Sequence, residues 1–518
     1  MPLSVIHARS AIGIKAPLIT IEVHISAGLP AFNVVGLPHR SISEAKERVR
    51  SAILNSGLTF PPKRITINLS PADLPKQGAR FDLAIAVGVL AASGQIPINQ
   101  LHHYEFMGEL ALSGELRPVA GAFIAALSLP RTKSLITCSE HQDELSVIPH
   151  LKSFYAAHLQ DIITFFNDHA HAGSTIISNP AKPTPRHFHS DNTEADFRDV
   201  LGQPDAINAC LYAAAGGHNL LLYGAPGSGK TMLAERIASI MPPLTQTQAI
   251  ENAAIHSVAG LDVASLWGRR PFRQPHHSSS IPALTGGGVK FCPGEMTLAN
   301  HGVLFLDELA EFSAHALDHL RQPLEANTIA VARAQYHLIL PAHFQLIAAM
   351  NPSPTGDIYN NRSTYDQTVR YLQRVSGPLL DRIDIQIEVK KVPISELSTL
   401  NQTSPSTQSR TSSATLKATV ADTQARQISR QGCLNDALDA SQIKEFCQLD
   451  ELSSEFFNRA IEELELSARV YQRVLKVART IADCHSAENI DFEHLRDALK
   501  LRAFDRFVHH YTQYEKIV

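Results

Sequence analysis

Residues 224–231 read Gly-Ala-Pro-Gly-Ser-Gly-Lys-Thr, which fits the pattern Gly-x-x-x-x-Gly-Lys-[Ser/Thr]. The chemistry of such a stretch is the holding of phosphate. Glycines let backbone N–H groups close on phosphate oxygens, and the N-terminus of a following helix adds positive potential. Gly224, Ala225, Pro226, Gly227, Ser228 and Gly229 would form the cradle, Lys230 would reach the β- and γ-phosphates, and the Thr231 hydroxyl would hold Mg²⁺. Asp307 and Glu308 end a second apolar run, residues 303–306. Asp307 would orient the Mg²⁺ shell, and Glu308 would polarise the attacking water. Asn351 ends a third apolar run, residues 344–350. An amide there can position water against the γ-phosphate, or it can simply cap the turn before Pro352. Taken together, these residue types describe binding and hydrolysis of a nucleoside triphosphate.

Several elements must position them. The run 220–223 suits a buried strand, and from Lys230 the residues Leu233, Ile237 and Ile240 recur at helical spacing until Pro242 and Pro243. The runs 303–306 and 344–350 are the expected partner strands. Upstream, residues 19–25 and 64–69 alternate like strands. Residues 43–54 and 81–92 look helical, residues 71–80 form a polar loop, and residues 107–121 read as a hairpin turning at Ser113-Gly114. Pro180, Pro183 and Pro185 sit in a stretch without apolar periodicity that reads as a linker, and its His171, His187 and His189 have no ligand-like spacing. Residues 392–420 are rich in Ser, Thr and Gln and read as a flexible connection. From Asp422 the pattern is helical, with Val470, Val474, Val477, Ala478 and Ile481 on one face. The chain thus divides into an α/β domain over 1–169, a linker over 170–195, a nucleotide-binding core over 196–391, a connection over 392–421 and a helical lid over 422–518.

Composition narrows the class. A chain of 518 residues accommodates two to four domains, and 44% hydrophobic content supports well-buried cores. A net charge of −4 gives no global basic character, so any nucleic-acid footprint must be local. Six scattered cysteines with no C-x-x-C pair fit free thiols in a reducing compartment. No apolar run reaches membrane-spanning length, and MPLSVIHARS lacks the apolar core of a signal peptide, so a cytoplasmic location without membrane partners is expected.

Three N-terminal segments, GLPHRSISEAKERVRSAILNSG, INLSPADLPKQGARFDLAIAVGVLAASG and GELALSGELRPVAG, resemble the N-terminal domain of the magnesium-chelatase-like ComM (YifB) family. The resemblance implies a Lon-protease-like (ribosomal S5 domain 2-like) α/β domain, an AAA+ P-loop core and a C-terminal helical lid. Lon uses a Ser–Lys dyad. Here the loop reads Gly78-Ala79-Arg80-Phe81, and Phe123 stands where the lysine should be, so peptidase activity is not expected. Gly202-Gln203 before a helix resembles the segment that covers adenine in AAA+ proteins, and Asn351 takes the sensor-1 place. Arg382 in LLDRID resembles the arginine finger of the magnesium-chelatase and MCM-type branch, acting on the neighbouring subunit's ATP, which implies a closed ring. Its alternative is a salt bridge with Asp381 or Asp384. Arg469 resembles the sensor-2 arginine that couples the lid to the γ-phosphate.

The segments RRPFRQPHHSSS and TGGGVKFCPGE look like the helix-2 insertion of this branch, and residues 320–352 include what looks like a β-hairpin; in rings of this type such insertions face the pore. Arg269, Arg270, Arg273, Lys290 and Arg333 would then be the local basic footprint of a DNA motor, or else serve the nucleotide site or the subunit interface. Family members often carry four cysteines after the sensor asparagine. This chain has Ser353 and Thr355 instead of the first pair, so no zinc is expected and polar turn contacts must replace it. The family resemblance implies a Mg²⁺-dependent ATPase that forms a homohexamer and acts on single-stranded or branched DNA in natural transformation. A metal-chelatase-type motor and a protein remodeller remain the alternatives.

Overall fold

The computed structural model describes residues 3–35, 44–74, 76, 78–167, 177–178, 195–288, 291–333, 336–356, 364–392, 411–464 and 466–513. Strands β1 (Leu3–Arg9), β2 (Leu18–Ser26), β3 (Ala31–Val35) and β4 (Arg64–Ser70) form one sheet in the order β1-β2-β4-β3. Their alternation works as the period of two requires: Ile6, Ile21, Val23, Ile65 and Ile67 are fully buried. They pack against helix Asp82–Ala92, whose residues are all buried. A second sheet contains β5 (Tyr104–Phe106), β8 (Ser134–Cys138), β9 (Ser153–Ala156) and β10 (Ile177–Ser178). Between β5 and β8 lies the expected hairpin of β6 (Glu109–Leu110) and β7 (Leu116–Arg117). Strand β10 falls within the stretch read as linker: Ile177 and Ser178 pair with Tyr155 and Phe154. The histidines 171, 187 and 189 lie outside the described residues.

The core domain is built on five parallel strands: β11 (Leu220–Tyr223), β12 (Phe272–Arg273), β13 (Val303–Leu306), β16 (Gln345–Met350) and β17 (Ile385–Glu388), in the order β12-β13-β16-β11-β17. Strands β14 (Thr328–Arg333) and β15 (Tyr336–Pro341) form the expected hairpin. The central strands β11, β13 and β16 are buried on both faces, which explains why they read as unbroken apolar runs. Leu220, Leu222, Phe305 and Ile347 face helices Pro204–Gly216 and Lys230–Ile240 and the C-terminal helices. Leu221, Leu304, Leu346 and Met350 face the opposite layer.

Two C-terminal boundaries differ from the sequence reading. A helix begins at Ser413 rather than near Asp422 and runs to Gln431. The Ser412 side chain caps it by accepting the Thr415 N–H, and Leu416, Val420, Thr423 and Gln427 form its buried face. The intervening Ser, Thr and Gln residues hid that face. The last helix, Ala503–Gln513, leaves the lid and docks on the core sheet. Phe504 is buried with its ring centroid 5.1 Å from that of Tyr223, and Gln386 exchanges two hydrogen bonds with Asp505.

The N-terminal domain is joined to the core through helices Ala122–Leu127 and Gln246–Ala259. Gly121 N–H donates to Ser257 O at 3.1 Å, Phe123 N–H donates to Ser257 Oγ at 3.3 Å, and the Phe123 ring is buried beside Trp267. Phe123 is therefore part of the contact between the two domains. No helix among the described residues is long and apolar enough to cross a membrane.

Candidate functional site

Strand order assembles the site. β16 lies between β13 and β11, pairing Leu306 with Ala348 and Tyr223 with Met350. The carboxyl ends of three adjacent parallel strands therefore deliver Asp307, Asn351 and Gly224 side by side, at the edge where open α/β sheets bind ligands. Helix Lys230–Ile240 starts directly after the glycine loop, as the apolar spacing requires.

Hydrogen bonds then join the residues. Lys230, 8% exposed, donates from Nζ to Gly224 O at 2.8 Å, Ala225 O at 3.0 Å and Asn351 Oδ1 at 3.1 Å. Burial lowers its pKa, and the charge of Asp307 opposes that shift. Thr231 Oγ1 donates to Asp307 Oδ2 at 3.0 Å, while Asp307 Oδ1 accepts the Glu308 N–H at 2.9 Å. Glu308 adopts a left-handed backbone, φ 53° and ψ 50°, a conformation that costs a non-glycine residue about 1–3 kcal/mol. Leu309 and Ala310, fully buried next to it, hold the turn. The Glu308 carboxylate is exposed and stands 3.6 Å from His277 Nδ1.

The loop also meets a test of fit for a phosphate-bearing ligand with Mg²⁺. Gly227 and Gly229 have positive φ, and Ser228 Oγ and Gln203 Oε1 are buried without a hydrogen-bond partner. Gln203 is fastened beside the loop, donating from Nε2 to Ser228 O at 2.6 Å and Lys390 O at 3.1 Å. Thr231 and Asp307 give the hard oxygen donors that Mg²⁺ takes.

Gly224 admits no side chain: a Cβ there would lie 2.3 Å from Val389 O. Gly224→Ala should force the loop off the end of β17, at a cost of about 1–3 kcal/mol by analogy with overpacked interiors. The nucleotide-dependent rise in melting temperature should disappear; an unchanged rise would show that the loop tolerates the shift.

Arg382 and Arg469 are not joined to this hydrogen-bonded group by any contact among the described residues. Arg382 is 8% exposed, and its guanidinium donates to Pro378 O and to Glu325. Among the described residues its ion pair is with Glu325 rather than with Asp381 or Asp384, and Asp384 pairs with Arg473. Arg469 is exposed in the first turn of helix Ala468–Cys484. Two of the residues expected as a basic footprint have partners within the chain. Arg270 is spent on Pro242 O and His301 O, and Arg273 forms a two-pronged pair with Glu295. Lys290 lies outside the described residues, as does the side chain of Arg333. After Asn351, Ser353 is fully buried with Oγ 3.4 Å from Thr355 Oγ1, and Gly356 N–H donates to Ser353 O at 3.0 Å, so a polar turn does occupy the place of the first cysteine pair.

Sequence reasoning missed His277, Glu325 and Arg473. His277 sits in the segment RRPFRQPHHSSS, which the sequence marked only as an insertion. Glu325 lies in the stretch read as leading into the hairpin and Arg473 on the helix that begins with Arg469, and nothing local could have paired them with residues so distant in the chain.

Comparison with known proteins agrees with this layout. A family model described as magnesium chelatase, subunit ChlI, matches residues 196–397. Models described as subunit ChlI of Mg-chelatase and as the C-terminal part of subunit ChlI match residues 21–140 and 410–502. The chain is 46% identical over 514 residues to the uncharacterized protein YifB of Salmonella typhimurium, covering 98% of this chain and 99% of that one. It is 44% identical over 512 residues to the competence protein ComM of Haemophilus influenzae, again covering 98% and 99%. Likeness to the magnesium-chelatase 38 kDa subunit of Cereibacter sphaeroides is lower, 25% over 215 residues, covering 38% of this chain and 58% of that subunit.

Proposed function

The chain belongs to the YifB/ComM family of magnesium-chelatase-like proteins, and from that premise we propose that it is a Mg²⁺-dependent AAA+ ATPase working as a hexameric ring, a DNA branch-migration or helicase motor in natural transformation and recombination. The observation that carries the ATPase reading is the hydrogen-bonded group of Lys230, Thr231, Asp307 and Asn351 at the ends of three neighbouring strands. The DNA reading rests on the family resemblance and on the competence named in the Haemophilus relative.

In this reading Lys230 turns its ammonium from the loop carbonyls to the β- and γ-phosphates. Thr231 and Asp307 would hold Mg²⁺, which would supply positive charge to offset that of the phosphate oxygens. Glu308 takes the proton of the attacking water, and Asn351, whose Oδ1 faces Lys230, keeps its amide N–H groups to place that water. Arg382 of a neighbouring subunit would stabilise charge on the transferring phosphoryl group, and Arg469 would carry the state of the site to the lid.

A protein remodeller is the second reading, favoured by the internal engagement of Arg270 and Arg273. One experiment separates the two: ATP turnover measured alone, with single-stranded or branched DNA, and with an unfolded protein. A DNA motor should turn over faster with DNA and bind it more weakly as salt rises, since phosphate contacts release counterions. Turnover that ignores DNA, with no salt-sensitive binding, would remove the DNA reading and leave the ATPase reading standing. Stimulation by unfolded protein alone would select the remodeller.

A further inference from the structure

Three stretches of chain meet at one buried carboxylate that the site does not use. Asp384, 4% exposed, stands two residues after Arg382 and directly before β17. Its Oδ2 accepts the Asn219 N–H at 3.1 Å and lies 3.8 Å from His218 Nδ1, while its Oδ1 accepts from Arg473. Burial works to raise its pKa, but Arg473 and His218 overcome this and hold it well below the usual carboxylate range.

Arg473 makes a second contact, donating from Nη1 to the backbone carbonyl of Arg382 at 3.1 Å. Asn219 Nδ2 donates to that same carbonyl at 3.0 Å, and Asn219 Oδ1 accepts the Leu346 N–H of β16 at 2.8 Å. His218 and Asn219 directly precede β11, the strand that leads into the glycine loop. Arg473 itself lies on helix Ala468–Cys484, one turn beyond Arg469 and on the same face. A single guanidinium thus ties the helix that carries Arg469 to the backbone of Arg382.

We propose that Arg473 is the positioning residue that couples the two, so that movement of the lid over a subunit's own nucleotide changes where that subunit holds the arginine it offers to its neighbour. The proposal rests on the ATPase reading above. The two partners of Arg473, Arg382 O and the Asp384 carboxylate, flank a short segment that Asn219 and Arg502 also hold, Arg502 donating from Nη1 to Ile383 O and to Asp384 O. A shift of the helix therefore bears directly on the Arg382 carbonyl, with no slack loop between them.

The test mixes two inactive full-length variants. Glu308→Gln supplies Arg382 and still binds nucleotide but does not turn it over, and Arg382→Ala holds nucleotide but offers no arginine. Mixed rings should recover turnover at the shared interface. Arg473→Gln is then added to one partner at a time. Placed in the subunit that supplies Arg382, it should lower the recovered kcat by about tenfold with KM for ATP little changed. Placed in the subunit lacking Arg382, it should cost at least fivefold less than that, roughly twofold at most on the same coupling scale. A purely structural role predicts equal losses on both sides, and equal losses, or none on either, would overturn the proposal. Both bonds leave from the single Nη1, and Arg473→Lys keeps a charged donor beside Asp384 but loses the fixed guanidinium plane that aims it. It should show the same one-sided loss at about threefold, and it replaces Arg473→Gln if that variant fails to fold or assemble. If unmodified mixed rings stay inactive although the wild type hydrolyses ATP, the arginine does not act in trans and the coupling proposal falls with it, the ATPase reading surviving. A wild type with no ATP turnover removes both.

Discussion

Arg382→Ala should lower ATP turnover by about a thousandfold, the scale of an arginine finger, while leaving nucleotide affinity within about twofold. The structure gives the reason for separating the two effects. Lys230, Thr231, Asp307 and Asn351 are joined within one subunit, so binding needs nothing from Arg382. In that same subunit the Arg382 guanidinium is folded onto Glu325 and Pro378 O, with Nε buried and unpartnered. An always-charged group left one hydrogen bond short is poorly satisfied where it lies, and a neighbour's phosphate would offer it more. Arg382→Lys should not restore turnover, because an ammonium cannot reproduce the planar fork. The measurements are steady-state turnover and equilibrium binding of a fluorescent nucleotide. Turnover kept within tenfold of wild type, with a lowered melting temperature, would reduce Arg382 to a structural partner of Glu325.

Glu308→Gln should lose about 10²–10⁴-fold in turnover, the range for removal of a positioned general base, yet still bind ATP and leave the oligomeric state unchanged. Glutamine preserves the shape of the side chain and removes only its proton affinity. Little else depends on the Glu308 charge: its carboxylate is 56% exposed with His277 beside it at 3.6 Å, and the backbone bond that sets it, from its N–H to Asp307 Oδ1, survives the change. Retained turnover would mean that another group takes the proton, and His277, 3.6 Å away, would be the first to replace.

Much of this site could be read from residue types. The glycine loop, the acids Asp307 and Glu308, and Asn351 each follow a short apolar run, and such runs become buried central strands. Periodicity failed where polar residues share a helix with a narrow apolar face. Leu416 and Val420 anchor a helix inside a Ser- and Thr-rich stretch, because Thr423 and Gln427 complete the buried face by hydrogen bonding rather than by apolar contact. Nor could local spacing show the partners of Arg270 and Arg273, since Pro242 O, His301 O and Glu295 lie elsewhere in the chain.

By itself, then, the sequence determined which groups are present, which strand or helix each one ends or begins, and hence that phosphate chemistry is possible. Those are local properties, set by spacing over a few residues and by the needs of a glycine turn. Only the tertiary structure decided that β16 inserts between β13 and β11, which brings Asn351 to Lys230 and Asp307 to Thr231. It alone decided that Arg382 is held by Glu325 and that Arg473 reaches across to Arg382 and Asp384. Strand order and the pairing of buried charges depend on how whole layers pack, and layers bring together residues whose separation along the chain carries no periodic signal.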